Sequence, residues 1–184
     1  AFEEYQKYHK HSRLDMNYVA ELTEYIGKLP NVKNHLKYFV NNSLYRTGDS
    51  FRYAQFRLKN KNRSYYLTSI KATAFLEKIL KIAQNGAIVA DFANAIVDDK
   101  INETMATNYV NKLINNQILV SELEPTVTGD EFFKVLMKTI QKLPDTQEIV
   151  SNLQNIERLL SKQDHDIHRY EGIKMAIDEN FKTT

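Results

Sequence analysis

Few residues in this chain have the types and spacing that chemistry needs, and each candidate also has a plain structural use. His9 and His11, and His165 and His168 beside Asp164 and Asp166, are spaced so that imidazoles and carboxylates could share a divalent metal. Polar helix surfaces produce such pairs by chance, and His35 stands alone. Glu122, Glu124, Asp130 and Glu131 are carboxylates close enough in sequence for general acid–base work. They straddle a strand end and a helix start, where acids already oppose the helix dipole. The five glycines form no G-x-x-x-x-G-K phosphate loop, and zero cysteines exclude thiolate zinc sites, disulfides and a cysteine nucleophile. These residues compose no catalytic centre, so binding is the better-supported class of function.

Binding requires elements that hold a surface, and the hydrophobic pattern supplies them between Asn42 and Pro125. Phe75, Leu76, Ile79, Leu80 and Ala83 recur at helical period over Lys71–Gln84, with Asn85-Gly86 as the stop. Ile88, Val89, Phe92, Ile96 and Val97 repeat the pattern in a shorter helix. Asn102 can cap a third, whose Met105, Ala106, Tyr109, Val110, Leu113 and Ile114 form the cleanest stripe in the chain. Upstream, Ser50–Lys59 and Arg63–Ile70 are rich in aromatic and β-branched residues and flank the turn Lys59-Asn60-Lys61-Asn62, which predicts a β-hairpin. Ser43–Arg46 could pair beside it, and Ile118–Leu123 alternates as a closing strand before Pro125. The expected fold class is α+β and mostly helical. It comprises a winged helix-turn-helix unit, with a three-stranded antiparallel sheet and three helices covering one of its faces, and helical flanks.

The flanks carry simpler patterns. Leu14, Tyr18, Val19, Leu22, Tyr25, Ile26 and Leu29 form a stripe that stops at Pro30, and Val32–Val40 is a weaker apolar stretch leading into the first strand. Helices are also expected over Gly129–Lys142, over Asp145–Lys162 and around Ile167–Phe181. The domain reading is thus residues 1–41 as an N-terminal helical flank, 42–125 as the winged-helix unit and 126–184 as a C-terminal helical segment. With 184 residues, 42% of them hydrophobic, and a net charge of +2, the chain can bury one good core and carries no bulk electrostatic signal for nucleic acid or membrane. No apolar run reaches the ~20 residues of a membrane span, and the start is not a signal peptide, so a cytoplasmic location is expected.

Two partners fit the winged-helix geometry. The third helix would read DNA, yet its polar face shows Glu103, Thr104, Thr107, Asn108, Asn111, Lys112, Asn115 and Asn116, with one lysine and no arginine for phosphates and guanines. The basic residues Arg46, Arg52, Arg57, Lys59, Lys61 and Arg63 lie on the hairpin, where charge protects exposed strand edges. A peptide strand is the other partner. An edge strand beside a helix offers backbone groups along one wall and side chains along the other. Tyr66, Thr68, Met105, Asn108, Tyr109 and Lys112 are the candidate peptide-binding residues. Periodicity alone favours core positions for Met105 and Tyr109.

Three stretches, RLDMNY at Arg13–Tyr18, NSLYRTGDSFRY at Asn42–Tyr53 and LVSELEPTVTGD at Leu119–Asp130, resemble the N-terminal part of lantibiotic dehydratases over most of the chain. The resemblance implies that the winged-helix unit is a precursor-recognition element, taking the leader peptide as an added strand between its third strand and third helix. It also implies a larger parent enzyme of class I lanthipeptide biosynthesis. That parent transfers glutamate from glutamyl-tRNA, its co-substrate, to serine or threonine and then eliminates it. The family's arginine-rich glutamylation motif has no counterpart here and no residue matches the elimination site. With no initiator methionine before Ala1, a fragment is expected: no catalytic residue, no cofactor of its own, and no activity alone. Its expected partners are the precursor leader, the remainder of the dehydratase and a second copy in a homodimer. A winged-helix DNA-binding regulator and a purely structural domain are the competing readings.

Overall fold

The computed structural model describes residues 12–59, 62–125, 131–161 and 168–181. In chain order the elements are α1 (Met16–Lys28), α2 (Pro30–Lys33), β1 (Tyr38–Val40), β2 (Tyr45–Thr47), β3 (Ser50–Lys59) and β4 (Asn62–Lys71). There follow α3 (Ala74–Ala83), α4 (Val89–Ile96), α5 (Glu103–Asn115), β5 (Leu119–Ser121), α6 (Phe132–Ile140), α7 (Gln147–Ser161) and α8 (His168–Phe181). The fold is α+β, mostly helical, with a winged-helix-like arrangement of hairpin and three helices. Two compact units divide the chain: residues 34–124, and residues 1–33 together with 125–184.

Helix ends in the 34–124 unit follow from local chemistry. The Thr73 hydroxyl accepts from the Leu76 N–H at 3.2 Å and opens α3, and the Asn102 amide oxygen accepts from the Met105 N–H at 2.9 Å and opens α5. Leu76, Ile79, Phe92, Ile96, Ala106, Val110 and Leu113 are buried and make the three-helix core. Antiparallel strands β2, β3 and β4 form one sheet in that order, with Phe51 opposite Ile70 and Phe56 opposite Tyr65. Tyr53, 2% exposed, is the one fully buried side chain among the described hairpin residues. It anchors the sheet by a single large ring.

The closing strand pairs elsewhere. β5 joins β1 in a separate two-stranded sheet, Tyr38 opposite Ser121 and Val40 opposite Leu119. Strands of three residues are too short to show a period of two, so Tyr38–Val40 reads in sequence only as an apolar stretch. Tyr38 also bridges to Ala87, its N–H donating to the Ala87 carbonyl at 2.8 Å. That bridge fixes the turn after α3, where Gly86 has a φ of +72° and the Phe39 ring lies 2.5 Å from where a Cβ would stand.

In the other unit α1, α6, α7 and α8 pack around Leu22, Ile26, Leu136, Leu153, Ile156 and Ile177, all buried. Tyr25 meets Phe181 edge to face, ring centroids 6.4 Å apart. Before α7 the chain turns through Asp145 at φ +54°, whose carbonyl accepts from the Asn31 side-chain amide at 2.8 Å. The Thr146 hydroxyl, buried, lies 2.8 and 2.9 Å from the carbonyls of Ile140 and Leu143 and satisfies the end of α6.

Two predictions follow from the turn and strand at Phe39 and Tyr38. Gly86→Ala adds a methyl against the Phe39 ring on top of a left-handed backbone and is expected to cost about 3 kcal/mol. Gly48→Ala, at φ +56° with nothing within 4 Å, should cost only about 1 kcal/mol; urea unfolding of both variants checks the contrast. Burial also pushes the Tyr38 phenol up to about 12 from its ordinary 10.0. Below pH 10.0 that residue is protonated in both states and stability is intact; between 10.0 and about 12 the unfolded chain ionises first and stability falls. Tyr38→Phe should flatten that part of the curve of urea midpoint against pH.

Candidate functional site

The site begins with the two long edges of the hairpin, which the chain treats differently. On the outer side of β3, β2 pairs with Ser50–Arg52. Further along, side chains take over. The Ser43 hydroxyl accepts from the Ala54 N–H at 2.9 Å, and the Asn41 amide donates to the Ala54 carbonyl at 3.2 Å and to the Gln117 carbonyl at 2.7 Å. Gln117 itself, at φ +60°, accepts from the Phe56 N–H and donates to the Phe56 carbonyl, both at 2.9 Å. One amide side chain thereby does for Phe56 what a neighbouring strand would do. The outer side of β4 has no such cover: among the described residues, nothing but β3 bonds to its backbone.

Hydrogen-bond phase fixes which β4 groups face outward. The Ala72 N–H donates to the Asp49 carbonyl at 2.8 Å, one step beyond the Ser50–Lys71 pair. Bonded and non-bonded pairs alternate in an antiparallel ladder. Ser64, Tyr66, Thr68 and Ile70 therefore bond to β3, while Tyr65, Leu67 and Ser69 direct their N–H and C=O groups to the open side. The side chains alternate too. Tyr66 and Thr68 project on the face that carries buried Tyr53, Thr68 being directly opposite it. The Thr68 hydroxyl lies 3.3 Å from the Gln55 amide oxygen, and the Arg57 guanidinium sits 5.3 Å above the ring of Tyr66, which is half exposed.

A groove of about 500 Å³ lies along α5 and the start of α3. Met105, Asn108, Tyr109 and Lys112 line it, one turn after another on α5, together with Thr73, Phe75, Ile96 and Ile101. Four of the six candidate residues thus share one groove, whereas Tyr66 and Thr68 stand on β4 outside its lining. Met105 is 53% exposed, and Tyr109 half-buried, so the core positions that periodicity favours for them are corrected. The reason is angular: Ala106, Val110 and Leu113 alone fill the core-facing arc of α5, and Met105 and Tyr109 fall beside it. Phe75, read as part of the buried stripe of α3, is 39% exposed and forms a wall. Its position one residue before Leu76 and off the Leu76–Ile79–Leu80–Ala83 spacing is the signal that could have placed it there. Lys112 is the groove's one charged lining residue.

The remaining candidates have structural partners or lie outside the described residues. Glu122 accepts from the Lys37 N–H at 2.9 Å, Glu124 pairs with Arg63 at 3.2 Å, and Glu131 lies 3.5 Å from Lys134. His9, His11, Asp130, Asp164, His165 and Asp166 lie outside the described residues, as does the side chain of His168. Among the described residues no three His, Asp or Glu side chains are grouped to hold a metal, and no helix is long and apolar enough to cross a membrane. On α5, Glu103 occupies the leading turn and Lys112 is the single cation, which leaves that helix poorly equipped for a phosphate backbone.

The family whose sequence model is described as "Lantibiotic dehydratase, N terminus" matches residues 2–179. No curated protein matches the chain. Among solved structures, the chain is similar to the crystal structure of tRNA dependent lantibiotic dehydratase MibB from Microbispora sp. 107891, with a TM-score of 0.69 at 13% identity. The alignment covers 94% of this chain and 18% of MibB, so the chain spans under a fifth of that protein's length. At that identity the likeness is one of fold.

Gln117→Ala removes both bonds to Phe56 and leaves two strand groups to find water. A loss of about 2 kcal/mol is expected, with faster hydrogen exchange at the Phe56 amide; urea unfolding and exchange mass spectrometry measure the two effects.

Proposed function

Because the chain belongs to the lantibiotic dehydratase N-terminal family, we propose that residues 42–125 recognise the leader of a precursor peptide by accepting it as an added strand on β4. The observation that carries this reading is the asymmetry of the hairpin: the β3 edge is closed by Ser43, Asn41 and Gln117, while the β4 edge is open. A guest backbone would bond to Tyr65, Leu67 and Ser69. Alternate guest side chains would then lie over Tyr66 and Thr68, on the side of the sheet that Tyr53 anchors. The α5 groove, with Met105, Asn108, Tyr109 and Lys112, would take apolar anchors, each worth roughly 1.5–3 kcal/mol when fully buried. Two such anchors would contribute roughly 3–6 kcal/mol, and the backbone bonds would add to this against the entropy of ordering a flexible peptide.

In the whole protein, this recognition would hold precursor serines and threonines for glutamylation from glutamyl-tRNA and subsequent elimination. The remainder of the dehydratase would supply the catalytic groups, and the helical segments 1–41 and 126–184 would join the recognition unit to it. MibB's description as tRNA dependent is consistent with that division of labour. This chain is given no catalytic residue and no activity by itself.

Titrating the chain with a fluorescent precursor leader tests the reading. Saturable binding should protect the amides of Tyr65, Leu67 and Ser69 from hydrogen exchange. Tyr109→Asp should weaken it at least tenfold, about 1.4 kcal/mol, while the unfolding midpoint stays near that of the parent. Unchanged affinity in a folded Tyr109→Asp variant, or protection confined to other strands, would sink the proposal.

A further inference from the structure

The β4 edge has features that leader docking leaves unused. From Ser64 to Ile70 the strand carries no charge, proline or glycine, and its pairing with β3 runs from Asn62 to Lys71 without a bulge. Proteins ordinarily blunt an open edge with one of those devices, because unpaired N–H and C=O groups recruit other strands. Here only Arg63 and Lys71 flank the stretch, and Arg63 is paired with Glu124 at 3.2 Å. Leader docking employs Tyr66 and Thr68 on the Tyr53 face. It does not employ Tyr65 and Leu67, which project on the opposite face and are each 65% exposed. Two large apolar side chains in successive positions on one face of a free edge match a partner strand that is apolar at the same spacing.

The strand is its own complement. Two copies of β4, antiparallel about a two-fold axis at Tyr66, bring outward groups opposite outward groups: Tyr65 faces Leu67 of the second copy, and Arg63 faces Ser69 of the second copy. Tyr66 then lies against Tyr66 of the second copy, and the Tyr65–Leu67 pair forms twice by symmetry. An axis at Leu67 would also align the bonding groups, but it sets Arg63 opposite Lys71, two like charges, and wastes Tyr65 on Ser69. We propose that β4 pairs with β4 of a second copy about the Tyr66 axis, so that without a leader the chain covers its own docking edge. Assembly stops at two. Once both β4 edges are used, the β3 edges remain closed by Ser43, Asn41 and Gln117, and β2 is three residues long with Arg46 upon it. A contact between two edge strands is small, so the dimer is weak and reversible. Self-pairing stands on the edge geometry alone; its control of leader binding rests on the docking proposed above, since both guests bond to Tyr65, Leu67 and Ser69.

Sedimentation velocity of the whole chain from about 10 μM to about 1 mM, where weak contacts become populated, should show monomer and dimer and no larger species. Without leader, hydrogen exchange at the Tyr65, Leu67 and Ser69 amides should slow as concentration rises. At the concentration where half the chain is dimeric, the apparent Kd for a fluorescent leader should be about twofold above its value at high dilution, and saturating leader should return the chain to monomer. Tyr66→Lys and Tyr66→Glu should each be monomeric, and an equimolar mixture of the two should recover the dimer, because opposite charges then meet across the axis. Tyr109→Asp, which lies off β4, should weaken leader binding and leave dimerisation at the parent value. Concentration-dependent protection of β4 in a chain that binds no leader would support self-pairing while removing the docking reading, so the two can fail separately. Self-pairing is overturned by a monomer throughout the range, by a dimer whose β4 amides are unprotected, or by a mixture of folded Tyr66 variants no more associated than either alone. A dimer that persists at saturating leader would overturn competition for the edge.

Discussion

The 34–124 unit depends on one small polar cluster, in which Gln117 bonds to both backbone groups of Phe56 and Asn41 ties the carbonyls of Ala54 and Gln117 together. These are partly buried bonds, and leaving any of the groups unpaired would cost about 1–3 kcal/mol. The geometry works because Gln117, immediately after α5, turns into the left-handed region and swings its amide onto the strand. Asn41 holds the other side, its oxygen accepting from the N–H of Ser43 at 3.0 Å and from the Ser43 hydroxyl at 2.6 Å. Through this cluster the end of α5 and the start of the hairpin are held in register. A closed edge on β3 is the direct result, and it makes β4 the side where pairing capacity is left over.

Much of this architecture is legible in the residues. Helices α3, α4 and α5 follow from apolar spacing with Thr73 and Asn102 as caps, and the hairpin follows from two aromatic, β-branched runs around a polar turn. Other parts are not legible, for physical reasons. The pairing of β1 with β5 joins two three-residue strands about eighty positions apart, and neither is long enough to carry a pattern. Gln117 looks like any polar residue after a helix; its role exists only once Phe56 is beside it. For Met105, Tyr109 and Phe75 the sequence gives apolarity, but whether a residue sits in the core arc or just off it is settled by helix rotation, which periodicity resolves poorly.

The similarity to MibB at 13% identity shows what a fold of this kind requires. A TM-score of 0.69 at that level means that topology persists while most side chains differ. What must persist is the pattern of burial: an apolar arc on each helix, one anchoring ring under the hairpin, and polar groups that finish the ladder where strands run out. Surface residues such as Tyr45, Arg52 and Met105 are outside that requirement, so their exposure is not explained by the need to fold.

The alternation along β4 carries an arithmetic consequence for any chain that pairs there. Because only every second residue of the strand points its backbone outward, a guest can shift along it by two positions and recover the same bonds with the same face, though not the same residues, over Tyr66 and Thr68. A shift of one turns every side chain over. Ligand variants would thus be sorted by parity: inserting a single residue between two anchors inverts one of them, whereas inserting a pair merely lengthens the reach.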